Sequence, residues 1–288
     1  MPSEMRGLSA LPMLASSPWQ MSFGERAALE GVVSQLRPTL ALEIGTAEGG
    51  SLRRIAAHSK EVHSFDLVAP SRELARLPNV TFHTGDSHQL LPQVLEGLAA
   101  AGRSIEFVLV DGDHSAAGVR RDLEDILRST SVRGTVVLLH DTMNPDVREG
   151  IESVEALSSP KVSLVELDLV PGYLARREPY RLQLWGGLGL VAVDAERPAY
   201  GGAVRDDRFH ELFAVLRPTV DLMIELESSG APLDSLAARG LEERLRAEIL
   251  WLRAGAARSD RAIHAMESSL SWRVTEPLRR MKRSMRSS

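Results

Sequence analysis

The chain has 288 residues, enough for one large domain or for one domain with an appendage. Its composition, 43% hydrophobic and 25% charged, is that of an ordinary globular protein, and the lack of cysteine excludes disulfides, thiolate zinc sites and a cysteine nucleophile. A net charge of −5 disfavours a general nucleic-acid binder, because neutralising phosphates needs a basic surface. No apolar run approaches the ~20 residues that cross a bilayer, and Pro12 interrupts the N-terminal apolar stretch, which makes a poor signal peptide. We therefore predict a cytoplasmic protein.

From about residue 25 to 195, short apolar runs alternate with segments whose apolar residues recur every three or four positions. The runs predict seven strands, Leu40–Ile44, Val62–Leu67, Val80–His83, Ile105–Val110, Thr135–Leu139, Val162–Leu167 and Leu188–Val193. The periodic segments predict helices over Ser51–His58, His88–Ala101, Ala117–Ser129 and Asp146–Leu157. This alternation predicts an α/β fold with a Rossmann-like, doubly wound, mostly parallel seven-stranded sheet. In such sheets the ligands lie beyond the carboxyl ends of the strands.

The first predicted strand ends in a glycine turn, Glu43-Ile44-Gly45-Thr46-Ala47-Glu48-Gly49-Gly50-Ser51. Gly45 and Gly49 permit a tight strand-to-helix turn and a close approach of the backbone to a ligand. A dinucleotide fingerprint would carry glycine at the position of Ala47, and Glu43 would repel a pyrophosphate. The turn therefore favours a cationic amino-acid or sulfonium ligand, and a purely structural turn is the alternative.

Two further acidic positions follow the second and third strands. Asp66 closes the second strand, where a carboxylate accepts hydrogen bonds from the ribose hydroxyls of a nucleoside, whether in NAD or in S-adenosylmethionine. Asp86 and Ser87 follow the third strand, where an adenine base can be bound. For Ser87 the alternative is a surface turn in which it caps a helix.

The ends of the fourth and fifth strands carry Asp111-Gly112-Asp113-His114 and His140-Asp141-Thr142. Because adjacent strand ends converge, two carboxylates and an imidazole at these places predict a divalent-cation site. Imidazole suits Mn, Fe or Zn better than Mg, so His140 leaves the metal open. His114, with an ordinary pKa of ~6.5, is a candidate general base near neutrality. Asp113 has the alternative of a helix cap or an ion-pair partner.

These motifs together resemble the class I S-adenosylmethionine-dependent methyltransferases over roughly residues 25–195. Within that class they are similar to the macrocin O-methyltransferase and cephalosporin-hydroxylase-like proteins, relatives of the catechol and caffeoyl-coenzyme A enzymes. The resemblance implies a cofactor site made of Glu43, Gly45, Thr46, Ala47, Gly49, Ser51, Asp66, Asp86, Ser87 and Asp111. It also implies that Asp111 and Asp141 bind Mg²⁺ or a similar ion, with His140 where relatives carry a carboxylate. His114 would stand where catechol-type relatives carry a lysine base.

The activity that the resemblance implies is metal-assisted O-methylation of a sugar hydroxyl, in a surface glycan or in a glycosylated natural product. The reaction needs little covalent chemistry, because the sulfonium methyl is already electrophilic and in-line positioning supplies much of the rate. Two alternatives stay open. One is an NAD(P)-linked oxidoreductase on a similar sheet, and the other is a non-catalytic scaffold of a glycan-assembly complex.

We divide the chain into an N-terminal segment (1–24), the cofactor-binding domain (25–204), a helical extension (205–270) and a basic tail (271–288). The first segment and the loop Leu169–Gln183 are candidate lids. The apolar seam Leu245–Leu270 predicts either a coiled coil with a second copy or a helix folded onto the main domain. The tail carries six cations and one anion and resembles a segment of bacterial cell-surface glycan enzymes. It is either an amphipathic contact with an anionic membrane surface or a solvated tail.

Overall fold

The computed structural model describes residues 19–175, 177 and 179–194, and beyond them residues 217, 218, 220, 221, 223–225 and 228. The chain divides into two compact units, Met1–Arg217 and Pro218–Ser288. The described residues of the second unit are helical. The predicted seam Leu245–Leu270 and the basic tail lie outside the described residues, as does nearly all of the extension 205–270. Within the part that is described, no helix is both long and apolar enough to span a bilayer.

The first unit contains a seven-stranded sheet and a small hairpin. The strands are β1 Leu40–Ile44, β2 Glu61–Asp66, β3 Val80–Thr84, β4 Ile105–Val110, β5 Val132–His140, β6 Val162–Val170, β7 Tyr173–Leu174, β8 Leu184–Trp185 and β9 Leu188–Val193. The sheet has the order β3-β2-β1-β4-β5-β9-β6, and β9 runs antiparallel to both of its neighbours. All seven predicted strands are present, and the mostly parallel sheet is confirmed. The β7–β8 hairpin was not predicted, because strands of two residues carry no periodicity.

The helices are α1 Phe23–Leu36, α2 Gly50–His58, α3 Ser87–Ala100, α4 Ala116–Arg128 and α5 Pro145–Glu152. The four predicted helices are present, but the last is shorter than expected. Its predicted span divides into α5 and a 3-10 turn, Glu155–Ser158, because Val154 between them adopts an extended backbone. The first helix begins at a capping box in which Ser22 and Glu25 exchange hydrogen bonds with each other's backbone.

Apolar side chains cover both faces of the sheet, as a parallel sheet requires. In β4, Val108 and Val110 face the layer that contains α3, α4 and α5. The alternate residues Phe107 and Leu109 face the layer that contains α1 and α2. Burial on both faces fixes the register of the central strands, so their carboxyl ends are held at one edge of the sheet.

A buried ion pair attaches α5 to β6. Arg148 is 1% exposed, and its two terminal nitrogens lie 3.1 and 2.9 Å from the two carboxylate oxygens of Asp168. Bidentate pairing of this kind offsets the cost of taking both charges out of water. The pair therefore holds α5, the helix that follows β5, against β6.

We expect Arg148→Gln to destabilise the protein by about 3–5 kcal/mol, because it leaves Asp168 buried without its cation. The matched control is Arg120→Gln, which removes an exposed pair with Glu124 on α4 and costs less than about 0.5 kcal/mol. Urea unfolding of both variants measures the difference. If both variants lost the same free energy of unfolding, the buried pair would contribute no more to stability than the exposed pair.

Candidate active site

A cavity of about 1100 Å³ lies at the carboxyl ends of β1, β2, β3, β4 and β5. The β7–β8 hairpin and the segment around Trp19 also line it. Nearly all predicted site residues meet in its wall, namely Gly45, Thr46, Ala47, Gly49, Ser51, Asp66, Asp86, Ser87, Asp111, His114, His140 and Asp141. Glu43 is the predicted residue that does not line it. The sheet edge predicted to bind ligands is thus the edge that carries the cavity.

The glycine turn lies tightly against the end of β4. Gly45 has a φ of +93°, and a Cβ there would stand 1.9 Å from the carbonyl oxygen of Asp111. The amide of Asp111 in turn donates to the carbonyl of Ile44 at 2.8 Å. Gly49, at φ +77°, precedes α2 without a side-chain cap. Glycine is therefore required at position 45 both for the backbone angle and for space.

Glu43 lies beneath the turn and is fully buried. Its carboxylate oxygens accept hydrogen bonds from the hydroxyls of Ser51 at 2.6 Å and Ser64 at 2.9 Å. Burial raises the pKa of Glu43 to about 8, although these two hydroxyls oppose the rise. The side chain thus supports the turn from within the protein. Direct contact between Glu43 and a cofactor stays a prediction.

Asp66 fastens the glycine turn to the end of β2. One of its carboxylate oxygens accepts the backbone N–H groups of Thr46 at 2.9 Å and Ala47 at 2.8 Å. The other accepts the N–H of Val68 at 2.8 Å. A carboxylate oxygen has two lone pairs, so the oxygen that accepts from Val68 can still accept one hydrogen bond from a ribose hydroxyl, whereas the other oxygen is fully engaged.

Asp86 and Ser87 begin α3 at the far side of the cavity. Asp86 is the cap of the helix, since its side chain accepts the N–H of His88 at 2.9 Å. Ser87 is the first helical residue, and its hydroxyl lies 3.4 Å from Asp122. The capping role that we considered for Ser87 therefore belongs to Asp86.

Asp111, His114 and Asp141 form a compact group at the ends of β4 and β5. One ligand atom from each lies within 4.8 Å of the others. The imidazole Nε2 of His114 lies 3.0 Å from Asp141 Oδ2 and 3.6 Å from Asp111 Oδ1. The remaining oxygen of Asp141 accepts the N–H of Gly186 at 2.7 Å, which fixes the carboxylate. The two carboxylates fit a divalent cation such as Mg²⁺ or Mn²⁺, and an imidazole beside them favours Mn²⁺ over Mg²⁺.

The carboxylates change the protonation of His114. Hydrogen bonds to Asp111 and Asp141 outweigh burial and raise the pKa of His114 to about 9. The ordinary value of ~6.5, on which the base role was predicted, therefore does not apply to this arrangement. Beside the two carboxylates alone, the imidazole is protonated at neutral pH. A cation at the carboxylates would take up part of the negative charge that holds this proton.

His140 lies beside this group, between Asp111 and Glu25. Its Nδ1 atom lies 2.9 Å from Asp111 Oδ1, and its Nε2 atom faces Glu25. Burial disfavours its charge, but Asp111, Asp141 and Glu25 outweigh burial and raise the pKa of His140 well above its ordinary value. His140 is not a member of the group of three, in which His114 supplies the nitrogen. Its role as a metal ligand stays a prediction.

Asp113 and the aromatic residues complete the cavity wall. Asp113 accepts the N–H of Ser115 at 2.8 Å, but the residue that caps α4 is Ser115, so Asp113 is not the helix cap that we considered as its alternative. Trp185 contacts His114 edge to face, with ring centroids 5.8 Å apart, and Tyr180 contacts Trp185 in the same way at 5.3 Å. Trp19 is buried on Gly50, where a Cβ would stand 2.4 Å from its ring.

Glu25 and Trp185 were not predicted from the sequence, whereas Trp19 lies in the N-terminal segment that we named as a candidate lid. Ser22 and Glu25 have the spacing of a capping box, which signals the start of a helix but not a contact with His140. Trp185 lies two residues beyond the loop Leu169–Gln183 that we named as a candidate lid. No local pattern marks it as a neighbour of the site.

Part of the chain is similar to known proteins. Residues 42–142 match the family model described as "Methyltransferase domain". No curated protein matches the chain.

Among solved structures, the chain is similar to the O-methyltransferase from Bacillus cereus in complex with SAH. The identity is 18%, 62% of this chain and 83% of that chain are covered, and the TM-score is 0.43. It is also similar to the O-methyltransferase TomG from Streptomyces achromogenes in complex with SAM, with 17% identity, coverage of 60% and 81%, and a TM-score of 0.44. Residues 42–142 are thus similar to a methyltransferase domain.

Proposed function

We propose that this protein is a metal-assisted O-methyltransferase that transfers the methyl group of S-adenosylmethionine to a sugar hydroxyl. The observation that carries the proposal is the group of Asp111, His114 and Asp141 in the same cavity as the glycine turn. A bound cation would supply Lewis acidity, which lowers the pKa of a hydroxyl.

The residues of the cavity divide into three roles. The glycine turn, Asp66 and the loop with Asp86 bind the cofactor. Asp111 and Asp141 hold the cation. His114, whose side chain is 42% exposed, is the base in this scheme and not a ligand of the cation. It would take the proton of the acceptor hydroxyl when a cation on the two carboxylates leaves its imidazole neutral. A bond forms between the acceptor oxygen and the methyl carbon as the methyl–sulfur bond breaks, and S-adenosylhomocysteine leaves.

The aromatic hairpin supports a sugar as the acceptor. Tyr173, Tyr180 and Trp185 line the cavity, and Trp185 contacts the proposed base. Aromatic faces pack against the apolar C–H faces of sugar rings, while the polar edge of the ring stays free for the cation site. The sugar belongs to a surface glycan or to a glycosylated natural product. An assay with labelled cofactor and acceptors of both kinds separates the two.

We expect Asp111→Asn and Asp141→Asn each to lower methyl transfer at least about 100-fold, because each removes a charged ligand of the cation. The control is Asp146→Asn, which changes an exposed carboxylate at the start of α5 and leaves the rate unchanged. Chelation should abolish the activity of the parent enzyme, and added Mg²⁺ or Mn²⁺ should restore it. Methyl transfer that survives chelation would rule out the cation.

We expect Gly45→Ala to abolish binding of S-adenosylhomocysteine, because the new methyl group would displace the turn from Asp111. Gly31→Ala on α1 is the control, since a Cβ there meets no atom within 4 Å. Isothermal titration measures both. The same titration with NAD tests the oxidoreductase alternative, and tight binding of NAD instead of S-adenosylhomocysteine would favour it.

We expect Trp185→Ala to raise the KM for the acceptor roughly tenfold, with little change in kcat, because the ring contributes binding that is equal in the ground and transition states. Tyr180→Phe, which keeps the aromatic face, serves as the control. Steady-state kinetics measure the effect, with a sugar acceptor that the parent enzyme methylates. An unchanged KM in Trp185→Ala would contradict the proposal that this ring contacts the acceptor. If the parent protein transferred no methyl group to any acceptor, the scaffold alternative would be favoured.

A further inference from the structure

Glu25 is a carboxylate buried behind the proposed cation site. It is 1% exposed and does not line the cavity. One oxygen accepts the N–H of Ser22 in the capping box of α1. The other accepts the N–H of Gly187 at 2.5 Å and lies 3.6 Å from Nε2 of His140. A helix cap needs only the first of these contacts, and a cap at the protein surface would avoid the cost of burying the charge.

His140 connects this carboxylate to the cation site. Its imidazole is 8% exposed and lies between two acids. Nδ1 is 2.9 Å from Oδ1 of Asp111. Nε2 is buried and has no hydrogen-bond partner among the described residues, with Glu25 as the acid that faces it. An imidazole held from behind by a carboxylate can set the orientation of the group in front of it.

We propose that Glu25 is a positioning residue of the cation site, which acts through His140 to orient the carboxylate of Asp111. This inference rests on the proposed function, in which Asp111 holds a cation. The contact with Gly187 keeps the Glu25 oxygen in place. Gly186 leaves room for it, since a Cβ at that position would stand 2.9 Å from the same oxygen. We therefore expect the affinity for the cation to depend on Glu25, a residue of α1.

The test is a double-mutant cycle on the full chain, with cation binding as the readout. We measure Mn²⁺ and Mg²⁺ binding by isothermal titration, and Mn²⁺ binding also by electron paramagnetic resonance. Glu25→Gln should raise the dissociation constant for Mn²⁺ roughly 10- to 100-fold. In the His140→Asn background, the same substitution should change it less than about twofold, because the connecting imidazole is gone.

Glu30→Gln is the matched control, since Glu30 lies on the same helix and contacts Arg54 and His58 on the side away from the cavity. It should leave Mn²⁺ binding unchanged even if it lowers the melting temperature. If Glu25→Gln does not fold, Glu25→Asp keeps the charge and withdraws it by one methylene. That variant should also weaken Mn²⁺ binding only where His140 is present.

The outcomes separate the inference from the proposed function. If the parent protein binds neither cation, the proposed function fails. If the parent binds Mn²⁺ and Glu25→Gln binds it equally well, Glu25 has no positioning role. If Glu25→Gln weakens binding to the same extent in the His140→Asn background, the effect is long-range electrostatics or helix capping, and the path through His140 is overturned.

Discussion

The backbone of Gly45 lies so close to the carbonyl of Asp111 that no side chain fits between them. On one side of this contact is the turn that we propose to bind the cofactor, and on the other is the first carboxylate of the proposed cation site. A hydrogen bond from the Asp111 amide to Ile44 holds the two strand ends together at the same point. In the proposed function, backbone packing would therefore set the separation between the methyl donor and the acceptor oxygen. This matters because a displacement of about 1 Å can cost a factor of ~100 in rate.

Much of this arrangement could be predicted from the sequence. The central strands are apolar on both faces, as Phe107 and Val108 in β4 illustrate, so their positions are marked by composition alone. The rule that ligands lie at the carboxyl ends of parallel strands then brings Asp111 and Asp141 together. The rule does not show whether the imidazole of His114 or that of His140 completes the group with these two carboxylates. Asp141 has a φ of +55°, and this left-handed turn at the end of β5 places the side chains in a way that no spacing rule supplies.

The contacts that the sequence does not reveal join segments far apart in the chain. Glu25 and Gly187 are 162 positions apart, yet they share a hydrogen bond. Trp185 belongs to a two-residue strand, which is too short for a periodic pattern. The Glu25–Gly187 bond and the position of Trp185 both depend on how α1 and the β7–β8 hairpin pack against the end of β5. No local sequence pattern marks the surfaces that pack together there. Acceptor pockets are built from such segments, which is why function is harder to predict than fold.

The charges at the strand ends also depend on these distant segments. Three carboxylates, of Glu25, Asp111 and Asp141, surround two imidazoles, and the buried members of the group are tolerable only because each faces an opposite charge. Asp141 divides its two oxygens between the hairpin, through Gly186, and the imidazole of His114. The wall that would contact the acceptor and the carboxylate that would hold the cation are thus parts of one hydrogen-bonded unit. A substitution at Gly186 would therefore disturb the carboxylate of Asp141 as well as the hairpin, because one hydrogen bond joins the two.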